Sequence, residues 1–193
     1  MTLCFATNNQ HKLDEVRPLL GERFALKTLA DIGCREELPE TGDTLEANAA
    51  QKARYVWEHY RVPCFADDTG LEVAALGGAP GVYSARYAGP ARNAAANVRK
   101  LLHELTGCAD RVAHFRTVIV FIDATGREWQ FAGTAPGRIT EVPHGTGGFG
   151  YGPVFQPDGF GETFAELPLE VKNRIGHRGQ AVEALVQWLT RPG

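Results

Sequence analysis

Apolar residues along the chain alternate between short runs and stripes at helical spacing. Leu3 to Ala6 predicts a short buried strand, closed by the polar turn Thr7-Asn8-Asn9-Gln10. Leu13, Val16, Leu19 and Leu20 then recur at helical intervals, with Pro18 and Gly21 limiting the helix. Phe24 to Leu29 alternates weakly and predicts a second strand. Thr44 is placed to cap a helix carrying Leu45, Ala49, Ala53, Val56 and Tyr60 on one face. Pro63 to Ala66 predicts a strand running into Asp67-Asp68-Thr69-Gly70, and Leu71 to Ala74 predicts another. Pro90 suits the first turn of a helix with the stripe Ala94, Val98, Leu101 and Leu105. Phe115 to Ile122 has β-branched residues on both faces and predicts a central strand. Asp123-Ala124-Thr125-Gly126 reads as a hairpin turn into Glu128 to Ala132. Pro136-Gly137 and Pro143-His144-Gly145 read as breaks, and a last helix carries Ala181, Leu185 and Trp188 ahead of Pro192-Gly193. Strands interleaved with helices, plus one hairpin, predict an α/β fold with a mixed sheet in one compact unit.

Composition narrows the function. The 193 residues are 44% hydrophobic, which excludes a disordered chain, and a net charge of −3 excludes a general nucleic-acid surface. No window approaches the length of a membrane span, and Met1 to Asn8 lacks a signal-peptide pattern. Cys4, Cys34, Cys64 and Cys108 form no C-x-x-C pair, so free thiols in a reduced, cytoplasmic protein are expected. Glycine is the unusual component, with 22 residues, nine of them between Gly133 and Gly161.

Three segments carry candidate chemistry. The strand–turn–helix start at residues 7–15 offers exposed backbone N–H groups, Asn8, Asn9 and the Lys12 ammonium to a phosphate. The same pattern also describes an ordinary capped helix with a solvated lysine. The adjacent carboxylates Asp67 and Asp68 point to opposite faces of a strand, and Glu40 adds a third hard oxygen donor. Such donors suit Mg²⁺, although an Asx-type turn would use the same residues. Lys52 either reaches phosphates over these carboxylates or lies on a solvated helix face. Gly145 to Pro153 surrounds Phe149 and Tyr151 with five glycines, a loop that can approach a planar ring closely. Lys172, His177 and Arg178 can read a polar ring edge or a phosphate, or form a solvated basic cap. Together these pieces describe a nucleotide site without naming the bond that breaks.

In this order and over nearly the whole chain, the motifs resemble the inosine/xanthosine triphosphate pyrophosphatases, the non-canonical purine NTP pyrophosphatase family. The likeness lies in Thr7-Asn8-Asn9 with Lys12 and Glu15, and in Glu40-Thr41-Gly42, Glu46-Ala47-Asn48-Ala49 and Lys52-Ala53-Arg54. It continues through Ala66 to Leu71, Leu76 to Tyr87, Gly145 to Tyr151 and His177 to Ala181. The resemblance implies an elongated central mixed sheet with flanking helices, forming two lobes around an active-site cleft in a single domain over residues 1–193. It also implies a homodimer that hydrolyses inosine, deoxyinosine and xanthosine triphosphates with Mg²⁺, and neither a nucleic acid nor a membrane as partner. Water would attack the α-phosphorus, releasing the monophosphate and pyrophosphate. Carried onto this chain, Asp68 is the general base, and Glu40 and Asp68 are metal ligands with Asp67 beside them. Thr7, Asn8, Asn9, Lys12, Lys52, Thr69, Ser84 and Arg86 fall among the substrate contacts. Phe149, Gly150, Tyr151, Lys172, His177 and Arg178 complete that set, with Phe149 stacking on the base.

Three departures from the pattern stand out: Asn8-Asn9 where many members carry glycine and asparagine, with His11 in place of a glycine before the lysine; Gly152 where an aspartate is usual; and Gly176 where a serine precedes His-Arg. Losing two polar groups from the base pocket implies looser selection among purines. Two other readings remain, a pyrophosphatase for other modified nucleotides and a nucleotide-binding protein without catalysis. A P-loop enzyme is excluded because residues 7–15 lack the Walker A pattern.

Overall fold

In the computed structural model, which describes residues 1–191, the first predicted strand is β1 (Thr2–Phe5). It runs parallel to β2 (Ala25–Lys27) on one side and to β3 (Cys64–Val73) on the other. The full strand order is β2-β1-β3-β5-β6-β7, with β4 (Pro80–Gly81) paired antiparallel to β3. Here β5 is Val112–Ile122, β6 is Glu128–Ile139, and β7 is Phe155–Pro157, antiparallel to β6. The sheet is therefore mixed, and β5 lies inside it as its apolar sequence requires. The helices are α1 (Gln10–Leu20), α2 (Leu45–Tyr60), α3 (Ala94–Glu104), α4 (Leu169–Ile175) and α5 (His177–Leu189). Among the described residues no helix is long and apolar enough to cross a membrane.

The chain divides into two compact units. One contains Met1–Asp68, Thr117–Gly133 and the chain from His177 onward; the other contains Thr69–Arg116 and Thr134–Gly176. In the first, α1 and α5 pack Val16, Ala181 and Leu185 against Phe5, Phe65 and Phe121 of the sheet. The Phe5 and Phe65 rings stack with centroids 4.5 Å apart, an arrangement worth about 0.5–1.5 kcal/mol beyond buried area. In the second, Leu101 and Leu105 join Phe115, Ile139, Phe155 and Phe164 in a separate core.

Several local expectations change. Asp67-Asp68-Thr69-Gly70 forms no turn: β3 continues through it as one ten-residue strand. Gly70 permits this, because a Cβ there would lie 2.7 Å from the Gly81 carbonyl oxygen. Pro136-Gly137 does not break β6, where Gly137 pairs with Pro157. Pro90 precedes α3, whose N-cap is Asn93. Lys172 belongs to α4, while His177 and Arg178 open α5 instead of preceding it. The terminal pair Pro192-Gly193 lies outside the described residues. All four cysteines are free. Burial pushes the Cys4 thiol up to about 12 and raises the Cys64 thiol as well, so both remain protonated in the core.

Candidate active site

Local folding explains how the charged residues of the first unit meet. After β1, Thr7 Oγ1 accepts the Asn9 N–H at 3.1 Å. Asn9 Oδ1 in turn accepts the Lys12 N–H at 3.3 Å as the N-cap of α1. Asn8 and His11 are exposed at this helix start. The Lys12 ammonium donates to Asp67 Oδ1 at 2.8 Å. From α2, Lys52 donates to Glu40 Oε1 at 2.5 Å and to the Asp67 carbonyl at 2.8 Å, and approaches Asp68 Oδ1 at 3.9 Å. From α5, Arg178 donates Nε to Asp67 Oδ2 at 3.0 Å and Nη1 to Glu15. Beside it, His177 Nδ1 lies 2.6 Å from the Thr117 hydroxyl.

The pleat of β3 sends its adjacent aspartates to opposite faces. Asp67 is 1% exposed and held between Lys12 and Arg178. Burial raises its carboxyl pKa, but Lys12, Arg178 and Lys52 outweigh burial and hold it well below the usual carboxylate range. The Asp68 side chain is 14% exposed and accepts a 3.1 Å bond from Asn48 Nδ2. Burial is the largest influence on Asp68 and raises its pKa, against Lys52, Lys12 and Asn48, with Glu40 adding to the rise. The two carboxylates are thus chemically distinct, one locked and one partly open.

Glu40 and Asp68 both face Lys52 and present hard oxygen donors. Among the described residues no group of three or more His, Cys, Asp or Glu is arranged to hold a metal by itself. Two carboxylates fit Mg²⁺ in its usual mode, completed by waters and substrate phosphates.

In the second unit, Lys172 Nζ lies 5.1 Å from the Phe149 ring centroid and 5.8 Å from that of Phe164. Gly150 follows with φ 64°, a conformation that favours glycine. The Tyr151 hydroxyl donates to the Ser84 carbonyl at 2.9 Å. The Ser84 hydroxyl donates to the Gly81 carbonyl at 2.6 Å and accepts the Leu71 N–H at 2.9 Å, fastening β3 to the turn beyond β4. Arg86 stacks over Tyr83 at 5.1 Å, and Thr69 lies half-buried in β3. The two glycine departures differ physically. A Cβ at Gly152 would meet Ala165 N at an ordinary 3.7 Å, whereas one at Gly176 would lie 2.5 Å from the Lys172 carbonyl oxygen.

The structure therefore gathers Lys12, Glu40, Lys52, Asp67, Asp68 and Arg178 in the first unit, and Phe149 with Lys172 in the second. It adds three residues to which sequence reasoning gave no individual role: Glu15, Asn48 and Thr117. Glu15 and Asn48 lie within recognised motifs, and Asn48 precedes Lys52 by one helical turn. Thr117 carries no such signal, since it sits in a β-branched strand and belongs to none of the quoted motifs.

Fold and site define a mixed-sheet α/β protein with a carboxylate–cation centre built on one buried strand. The chain belongs to the Ham1 family, which it matches over residues 3–188. The dITP/XTP pyrophosphatase of Flavobacterium johnsoniae is 53% identical over 190 residues, 98% of each chain. That of Porphyromonas gingivalis is 54% identical over 188 residues, covering 97% of this chain and 96% of its relative. Among solved structures, a HAM1 protein from Coxiella burnetii has a TM-score of 0.90 at 36% identity, covering 98% of both chains. The Staphylococcus aureus Ham1 protein has a TM-score of 0.89 at 35% identity, also covering 98% of both.

Proposed function

We propose that the protein is a Mg²⁺-dependent pyrophosphatase of non-canonical purine nucleoside triphosphates: ITP, dITP and XTP. The observation that carries this reading is the divided pair on β3: Asp67 is locked by cations while Asp68 remains partly open beside Glu40. The names of the bacterial relatives support the substrate class. Asp68 accepts the proton of a water that attacks the α-phosphorus in line; the α–β anhydride bond breaks, and pyrophosphate leaves. Thr7, Asn8 and Asn9 receive phosphate oxygens at the start of α1, with the Lys12 and Lys52 ammonium groups alongside. Mg²⁺, when bound, would be held by Glu40 and Asp68, and would offset charge on the phosphate oxygens; Asp67, with both oxygens taken by Lys12 and Arg178, is left out of the ligand set. Arg178 braces Asp67, which in turn holds Lys12, and so orients the phosphate-binding set. Phe149 offers a stacking face, worth about 1–3 kcal/mol, framed by Gly150 and Tyr151. Lys172 and His177 supply donors suited to a 6-oxo group, and an adenine amino group would leave them unpaired. Thr69 and Arg86 complete the substrate contacts, and Ser84 contributes by holding the β3–β4 corner.

The family match spans both units, which supports reading residues 1–193 as one catalytic domain. The sequence resemblance supports a homodimer, checked by sedimentation, and a cytoplasmic location. The decisive experiment incubates the protein and Mg²⁺ with ITP, dITP, XTP, GTP and ATP and identifies every product. Monophosphate with pyrophosphate from the first three is expected. Diphosphate with orthophosphate would refute attack at the α-phosphorus, and no turnover would leave a nucleotide binder.

A further inference from the structure

Asn48 is 1% exposed, and both ends of its carboxamide are engaged. Nδ2 donates to Asp68 Oδ2 at 3.1 Å, and Oδ1 accepts the Gly42 N–H at 2.8 Å. These partners determine which way the amide points, because an ionised carboxylate only accepts and a backbone N–H only donates. Gly42 lies two residues beyond Glu40 and is pressed onto α2. A Cβ there would lie 2.6 Å from Ala47 Cβ and 3.0 Å from Asn48 Oδ1. One turn along the same helical face, Lys52 holds Glu40 and approaches Asp68. Two side chains of α2, one neutral and one cationic, therefore grip both the strand and the loop that carry the proposed chemistry.

Resting on the reading of Asp68 as base and Glu40 as metal ligand, we propose that Asn48 is a positioning residue that aligns Asp68 with the Glu40 loop. Its amide is the group that fits both partners. Aspartate could still accept from Gly42 but would face Asp68 with like charge, and alanine would give up both bonds. The outer partners of catalytic and metal-binding groups act in this way, orienting a carboxylate without touching substrate.

The test compares Asn48→Ala and Asn48→Asp, each alone and combined with Asp68→Asn, after thermal melting confirms that they fold. With dITP and Mg²⁺, each single substitution at Asn48 is expected to lower kcat by about 10- to 100-fold with little change in KM. Beside Asp68→Asn, Asn48→Ala should add almost nothing, because the two residues act as a unit. Mn²⁺ binding to the nucleotide-free protein, followed by electron paramagnetic resonance, reads the loop separately from turnover. It weakens in Asn48→Ala, which loses the Gly42 anchor of the Glu40 loop. Wild-type kcat in either folded variant overturns the proposal. So does an Asn48→Ala effect undiminished beside Asp68→Asn, or unchanged Mn²⁺ affinity in Asn48→Ala. If Asn48→Ala does not fold, the near-isosteric Asn48→Asp carries the turnover test alone. Absence of turnover by the wild type would instead remove the pyrophosphatase reading on which the proposal rests, and normal turnover by Asp68→Asn would remove the assignment of Asp68 as base.

Discussion

Asp67 and Asp68 share a side chain and a strand, yet their charges have opposite consequences for folding. The lowered folded pKa of Asp67 gives stability that is fully present above the unfolded value of about 3.9 and lost as pH falls through the folded value. Asp67→Asn should therefore destabilise the protein at pH 7. Leaving Lys12 and Arg178 without their carboxylate would cost about 3–5 kcal/mol, a range set by broken buried pairs. The deficit should narrow below about pH 4, where the wild type begins to lose the same contribution. Urea unfolding at pH 7 and pH 3.5 reads both effects. Asp68 has the reverse sign, because its folded pKa is raised: its stabilising share exists below about 3.9 and disappears as pH rises through the folded value. At neutral pH its ionised form opposes folding, so Asp68→Asn should melt higher than wild type in metal-free buffer while losing most turnover. An equal or lower melting temperature would show that Lys52 and Asn48 compensate the charge fully.

At the scale of elements, the first turn of α5 delivers His177 and Arg178 because β6 comes very close to it. A Cβ on Gly133 would lie 2.1 Å from the His177 carbonyl oxygen and 2.7 Å from the Ala181 nitrogen, both backbone atoms. Gly133→Ala must move the helix start, so we expect a loss of about 1–3 kcal/mol, typical of overpacking, measured by denaturant unfolding. Turnover should fall as well, because the Arg178 grip on Asp67 and Glu15 shifts with the helix. Unchanged stability and turnover would mean that β6 can yield instead. This contact also shows where sequence reading reaches its limit. The caps at Thr44 and Asn93, the stripe of α2 and the apolar run of β5 are local patterns, and of these only Asn93 escaped notice, in favour of Pro90. Asp67-Asp68-Thr69-Gly70 has the composition of a turn and becomes strand because Lys12, Arg178, Lys52 and Asn48, all distant in sequence, compensate its charges. Pro136-Gly137 stays in β6 because Gly137 meets β7 so closely that a Cβ would lie 2.3 Å from the Gln156 carbonyl oxygen. Site residues identified by type were legible from motifs. Their pairings were not, since nothing local says that Arg178 will face Asp67.

On the scale of the whole molecule, the chain carries a net charge of −3, and its candidate centre does not reverse that sign. Lys12, Lys52 and Arg178 face Glu15, Glu40, Asp67 and Asp68, so three cations meet four carboxylates and one negative charge remains. Every cation in this centre already has an internal partner, and a triphosphate must approach carboxylates that repel it. The lysines alone are therefore a poor trap for a polyanion. Two positive charges at Glu40 and Asp68 would change the balance to one net positive, within a Debye length of about 8 Å where salt screens little. It follows that a divalent ion should be required for nucleotide affinity as well as for turnover. We expect calorimetry with a non-hydrolysable deoxyinosine triphosphate analogue to show binding in Mg²⁺ and at least a tenfold loss, about 1.4 kcal/mol, when the ion is chelated. Glu40→Gln should reproduce part of that loss in Mg²⁺, since it removes a proposed metal ligand. In chelator the same substitution should improve affinity, because it also removes a repelling charge. If chelation leaves affinity unchanged while abolishing turnover, the cations of the centre suffice for binding, and the metal serves only the chemical step.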